Sequence, residues 1–310
     1  MPQIAKHGKY CLERFDAPLD VDLAISINKL CHGFGDHYKN YFGPDFMERM
    51  TNQRGGAIIC IAYIEDENYA SIESKLKITG SIEICATANI IYDPDDQKGV
   101  STLHNVFTHS DHRRQGLSKL LVKKVLEAYD YDLGGSFCVL GTGSPFAAKT
   151  YQENGFYHLA GGFDTNGPKG YNPDDLGEWL MIRSSVGKKF DPSIYYSIPR
   201  QDHLNVVPVK TTNYTQLVLL FNAINEGDVK KCVALGIEAG IQAEEKLIKF
   251  FQSKVFKKSQ KPSCYVAVVD NRVFGIAACR DGTTNIWDIY SCMNQKLIES
   301  KLREKINQHK

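Results

Sequence analysis

The sequence predicts an α/β chain, more strictly α+β: a mixed central sheet flanked by helices over residues 1–185, a linker over 186–204, and a smaller α/β second domain over 205–310. Three observations lead there. Short apolar runs, AIICIAYIE at 57–65 and FCVLG at 137–141, have the length of buried strands. Leu117, Leu120, Leu121, Val125 and Leu126 repeat at helical spacing. Between the strand Ser101–Thr108 and that helix lies a basic turn, residues 109–118, with the kernel RRQGLS at 113–118.

The elements follow in order. Tyr10–Phe15 fits a first strand, Asp20–Leu30 a helix, and Pro44–Met50 a second helix. Ala57–Glu65 and Ile78–Tyr92 read as strongly buried strands, with charged inserts at Asp66–Lys77 and Asp93–Gly99. After the strand Phe137–Gly141, a short helix spans Pro145–Asn154: Ser144 suits its N-cap, Pro145 its first turn and Gly155 its C′ position. Closing strands at Tyr157–Gly162 and Glu178–Arg183 flank a glycine-rich loop, Phe163–Asp175.

Composition bounds the function. With 310 residues the chain can bury two cores. Its 37 basic and 36 acidic residues give a net charge of +1, so no global field points to nucleic acid or an anionic membrane. No apolar run approaches the roughly 20 residues that cross a bilayer, and the opening MPQIAKHGKY lacks a hydrophobic signal core. A cytoplasmic location is therefore expected. Nine scattered cysteines, several inside apolar strands, read as buried thiols of a reducing compartment. His109 and His112, three apart beside two arginines, make a poor metal pair, so no metal is expected.

The basic turn is suited to phosphate. The first N–H groups of a helix have no intrahelical partner, and the macrodipole places about half a positive charge there. Gly116 lets the main chain approach a ligand, and Arg113 and Arg114 add charge at the same place. An ordinary surface turn before a helix is the plainer reading of the kernel alone. The dinucleotide fingerprint and the Walker pattern are both absent from this loop.

The spacing R-x-x-G-x-[GA] between strand and helix resembles the acetyl-CoA pyrophosphate loop of the GNAT superfamily of N-acetyltransferases. Arg113, Gly116 and Ser118 stand at its three positions, with Ser118 in place of the usual Gly or Ala. A second match follows at the required distance: Ala147, Tyr151, Gly155 and Phe156 meet A-x-x-x-Y-x-x-x-G-F, with Ser144 where the family usually has Asn. The resemblance implies a GNAT fold with splayed parallel strands, here Ser101–Thr108 and Phe137–Gly141, between which pantetheine threads. It implies acetyl-CoA as cosubstrate, held by Phe107, Thr108, Arg113, Arg114, Gln115, Gly116, Leu117, Ser118, Ser144 and Ala147. It also implies a thioester carbonyl polarised by a backbone N–H, that of Phe107, and Tyr151 as the acid that protonates the departing thiolate. A phenol of pKa about 10 within reach of a thiolate of about 8.5 can supply that proton.

Removal of the amine proton needs a base or a water path. The candidates are His104, on the first diverging strand, and Glu83, on the strand before it. Strand alternation puts Thr102, His104 and Val106 on one face. A satisfied structural histidine, and a solvent-facing Glu83 between its isoleucines, are the plainer readings of these two. The expected partner is an amine-bearing small molecule or protein, with oligomeric state open. A non-catalytic acetyl-CoA-binding or protein-interaction module is the alternative.

Beyond the linker, NVVPVK at 205–210 reads as a strand, and 214–237 and 242–256 as helices. Cys264–Val269 and Val273–Cys279 flank a hairpin turn, with a further strand at Asn285–Tyr290 and a helix at Asn294–Ile306. That order repeats the first half of the N-terminal domain. No R-x-x-G-x-G stands near residue 291, so a degenerate, truncated GNAT-like domain with no acetyl-CoA site of its own is expected. The alternative is an ankyrin-like helical element at Phe221–Ile241 plus the hairpin.

Overall fold

The computed structural model describes residues 5–32, 50–51, 56–64, 83–92, 99–142, 144–161, 179–185, 187, 189–195, 203–209, 216, 220, 264–280, 283–289 and 295–308. The helix expected at Pro44–Met50 (save its last residue), the loop Phe163–Asp175 and nearly all of 214–256, with the ankyrin-like stretch, lie outside them. The chain forms two compact units: Met1–Cys138 with Lys149–Gly155, and Val139–Ala148 with Phe156–Lys310.

In the first unit, β1 (Ala5–His7), β2 (Tyr10–Asp16), β3 (Gly56–Ile64), β4 (Ile84–Tyr92) and β5 (Val100–Thr108) form an antiparallel meander, each strand paired with the next. Sequence reading missed β1, whose AKH carries no apolar signal. Strand β3 is buried along eight of its nine residues. That is why its sequence is a continuous apolar run rather than an alternation: both of its faces are covered.

Helix α1 (Val21–His32) covers one face, with Leu23, Ala24 and Ile27 packed among Ile59 and Ile61 of β3. Each such fully buried Leu or Ile stabilises the fold by about 1.5–3 kcal/mol. Helix α2 (Leu117–Ala128) covers the other face through Leu121, Val122 and Val125. Below it, Cys60, Arg14 and Lys124 line a cleft of about 220 Å³, closed at one side by the Arg14–Asp132 ion pair.

Next to β5 begins β6 (Phe137–Thr142). Ser136 and Phe137 N–H both donate to Gly99 O, and Ser101 Oγ donates to Phe137 O, so the two strands start side by side and run out in the same direction. This parallel start in an otherwise antiparallel sheet makes the sheet mixed. A π-type turn, Tyr129–Leu133, follows α2 and places the buried Tyr129 hydroxyl 3.1 Å from both Gly99 O and Phe137 O.

Strand β5 departs from simple alternation. Thr87 pairs with Phe107 and Asn89 with His104, so three steps on β5 match two on β4. The extra residue is a β-bulge, with Asn105 in the left-handed region at φ 51°. Paired residues share a sheet face. The face of Thr102 and His104 therefore continues with Phe107, not with Val106 as alternation suggests, because the bulge absorbs one residue.

In the second unit, β7 (Tyr157–Gly161) pairs antiparallel with β8 (Trp179–Ser184), and β8 lies beside the continuation of β6 at 139–142. A short helix, α4 (Pro192–Tyr195), follows the helix α3 (Pro145–Glu153) in chain order. Strands β9 (Asn205–Pro208), β10 (Cys264–Val269), β11 (Arg272–Arg280) and β12 (Thr283–Ile289) form a second antiparallel meander. Helix α5 (Gln295–Asn307) packs on it, burying Ile298, Leu302 and Ile306. The expected hairpin is present: Asp270 and Asn271 both take positive φ, 48° and 65°, in a two-residue turn. Gln216 clamps it, donating to Asn271 O and accepting from Val273 N–H.

Candidate active site

The turn between β5 and α2 is held by its own residues and by the strands beneath it. His109 N–H donates to Cys85 O at the start of β4, and His112 N–H donates back to His109 O in a single 3₁₀ turn, Ser110–His112. From β1, His7 Nε2 donates to Gln115 O at 3.0 Å; from β2, the Tyr10 hydroxyl lies 3.2 Å from Nδ1 of the buried His112. These two props were not identified from sequence, since each spans more than a hundred residues of chain. His109 and His112 are 5.8 Å apart at their ring centroids.

Arg114 at φ 61° and Gly116 at φ 74° are both left-handed. An added Cβ at Gly116 meets no atom within 4 Å, so glycine is required there for its conformation, not for space inside the fold. Gly116 is the N-cap of α2 and supplies no side chain to cap it, and the first turn holds no carboxylate. The main-chain N–H groups of that turn thus present positive potential with the exposed Arg113 and Arg114 beside them. Arg113 is oriented by its Nε–H bond to Thr108 O. The set fits a diphosphate. Ser118 turns its hydroxyl onto Thr108 Oγ1, 2.7 Å away, so the departure from Gly or Ala is absorbed by a hydroxyl pair between strand end and helix start. Leu117 is buried and anchors the turn.

Tyr151 is buried on α3. Ser144 is the expected N-cap: its Oγ accepts from Ala147 N–H and its carbonyl from Ala148 N–H. Gly155 takes φ 87° at the expected C′ position. Two residues beyond Tyr151, the Glu153 carboxylate lies 2.8 Å from Lys119 Nζ in the first turn of α2. The hydrogen bond from Lys119, then its charge, lowers the Glu153 pKa. This ion pair joins the end of the Tyr151 helix to the helix that follows the basic turn.

On the central strands, His104 is half-buried and Thr87, Asn89 and Thr102 are buried around it. Thr87 Oγ1 donates to Asn89 Oδ1 at 3.0 Å. Glu83 lies just before β4, exposed, with its carboxylate 3.9 Å from His112 Nε2. The structure therefore sets Glu83 beside the basic turn and His104 in mid-strand, and Phe107 on the face of His104.

Sheet and turn together define an α/β domain with an uncapped, arginine-flanked helix start at a strand end. Residues 57–169 match the family described as the acetyltransferase (GNAT) domain, whose class of chemistry is acetyl transfer from an acyl-CoA. No curated protein matches the chain. Among solved structures the chain is similar to ElaA of Escherichia coli, at 17% identity over 56% of this chain and 99% of that one, with a TM-score of 0.39. It is also similar to an acetyltransferase of the GNAT family from Staphylococcus aureus, at 15% identity over 56% and 99%, TM-score 0.36. A variant of the spermidine N-acetyltransferase SpeG from Vibrio cholerae aligns at 12% identity over 56% and 95%, TM-score 0.36.

Proposed function

We propose that the chain is an acetyl-CoA-dependent N-acetyltransferase that moves an acetyl group to a primary amine by direct attack, without a covalent enzyme intermediate. The observation that carries this reading is the uncapped start of α2, flanked by Arg113 and Arg114 and tied to the end of β5, inside the stretch that matches the acetyltransferase family. The main chain of 116–118 and the two arginines hold the diphosphate, with Thr108 and Gln115 beside them in the same turn.

In the reaction a C–N bond forms as the thioester C–S bond breaks. The Phe107 N–H polarises the carbonyl, and Tyr151 delivers its proton to the thiolate. Of the two candidate bases, His104 stands in mid-strand beside Phe107's face, whereas Glu83 is 82% exposed next to the basic turn; this favours His104 to take the amine proton. The residues after 205 form a degenerate acetyltransferase-like half. Their four-stranded meander followed by a helix repeats the order β2-β3-β4-β5-α2, and the sequence YSCMN at 290–294 carries no R-x-x-G-x-G. The buried thiols Cys11, Cys60, Cys85 and Cys138 suit a reducing cytoplasm.

The experiment is a thiol-release assay with acetyl-CoA across polyamines, amino acids, amine antibiotics and peptides. At least one amine is expected to accelerate thiol release and to appear acetylated by mass. Thiol release that no amine accelerates contradicts the reading.

A further inference from the structure

Resting on the reading of residues 113–118 as the cradle of the acetyl-CoA diphosphate, we infer that Tyr10 is a positioning residue for that cradle, acting through His112. Strands β1 and β2 are joined by a two-residue turn, Gly8–Lys9, with Gly8 left-handed at φ 58°. His7 and Tyr10 close this hairpin as a directly opposed pair, so their side chains rise on one face of it. Both reach the basic turn. The Tyr10 hydroxyl lies 3.2 Å from His112 Nδ1, and the two rings meet edge to face, 5.7 Å between centroids at 87°. His7 Nε2 donates to Gln115 O at 3.0 Å.

The places where these contacts fall carry the argument. His112 immediately precedes Arg113, and Gln115 immediately precedes Gly116. Of the residues His109–Gly116, His112 alone is buried; the other seven are exposed, so no apolar packing holds this turn. The turn also contains two left-handed residues, Arg114 at φ 61° and Gly116 at φ 74°, a region that arginine rarely takes unless its surroundings impose it. The imidazole bonded to the buried Tyr10 is the point at which the sheet imposes it. A phenylalanine would fill the same space in β2; what the hydroxyl adds is a bond to a residue 102 positions away, the one that leads into the first arginine. Held in this way, the N–H groups of 116–118 and the two arginines are in place before an anion arrives, and binding no longer has to order them. The exposed His7 bond is the weaker of the two pins.

The test compares the full chain with its Tyr10→Phe variant, by calorimetry with acetyl-CoA and by steady-state kinetics with two donors, acetyl-CoA and S-acetylpantetheine, a thioester that lacks the diphosphate. Tyr10→Phe should weaken acetyl-CoA binding and raise its KM by about fivefold, the effect of one hydrogen bond, with kcat unchanged. With S-acetylpantetheine, kcat/KM should not move, because no diphosphate reaches the cradle. In a His112→Leu background, Tyr10→Phe should have no further effect on acetyl-CoA affinity, since the hydroxyl acts through the imidazole. Unchanged acetyl-CoA affinity in Tyr10→Phe overturns the inference. So does an equal loss with S-acetylpantetheine, which marks a general structural defect, and so does a full loss in the His112→Leu background. Failure of the cradle reading is seen separately, as absent acetyl-CoA binding to the unsubstituted protein, and the positioning role falls with it.

Discussion

Thr108 Oγ1 and Ser118 Oγ stand 2.7 Å apart, joining the last residue of β5 to the second residue of α2. The turn between them carries the charge, and this hydroxyl pair fixes the two ends from which it hangs. Serine at 118 is therefore a strut, with its oxygen committed inward. In a double-mutant cycle with Thr108→Val and Ser118→Ala, urea unfolding should give a coupling of about 1 kcal/mol. Acetyl-CoA affinity of Ser118→Ala should stay within threefold; a drop beyond tenfold would mean that the hydroxyl contacts the ligand instead.

Arg113 and Arg114 flank a helix start with no carboxylate in its first turn. Each charge-assisted contact to a phosphate contributes roughly 1.5–3 kcal/mol. Arg113→Ala and Arg114→Ala should each weaken acetyl-CoA binding by at least tenfold in calorimetry, and the unsubstituted affinity should fall with added salt. Gly116→Ala forces alanine to φ 74°, at about 1–2 kcal/mol. A salt-independent affinity would argue against a diphosphate in this turn.

Tyr129 holds the starts of β5 and β6 through Gly99 O and Phe137 O. A Cβ on Gly135 would lie 2.0 Å from the Tyr129 ring. Gly135→Ala is expected to cost more than about 2 kcal/mol of stability, in the range of a badly overpacked core, and Tyr129→Phe about 1–2 kcal/mol. Urea midpoints measure both; a neutral Gly135→Ala would show that the π-type turn is not held against the sheet.

Much of the local geometry around the candidate site was legible in the sequence because it is local. Arg113, Gly116 and Ser118, the Ser144 N-cap and the Gly155 C′ position all depend on residues within one turn of each other, where backbone chemistry leaves few choices. What was not legible is non-local. The bulge at Asn105 is a mismatch between β4 and β5, and it alone decides that Phe107 rather than Val106 shares a face with His104. The props from His7 and Tyr10 reach the turn across 108 and 102 residues of chain. Strand β1 has no apolar residue beyond Ala5 to announce it.

Burial pushes the Cys60 thiol up to about 12 and the Cys85 thiol to about 11, from an ordinary 9.0. A raised folded-state pKa means that the unfolded chain releases these protons first, so stability is full below pH 9 and is lost as pH rises toward 11–12. Urea midpoints taken from pH 8 to pH 11 should fall, and less steeply in Cys60→Ala. Identical slopes in the two proteins would contradict neutral burial of this thiol.

Tyr151 is buried on the helix whose end is bonded to Lys119. If it gives its proton to the leaving thiolate, Tyr151→Phe should lower kcat by about a hundredfold while acetyl-CoA affinity is kept. Unchanged turnover would remove the acid role.

The most direct measurement is isothermal titration of the full chain with acetyl-CoA, alongside Arg113→Ala. The expected result is one site per chain, weakened at least tenfold by the substitution. No binding, or two equivalent sites per chain, would contradict a single pyrophosphate cradle between β5 and α2.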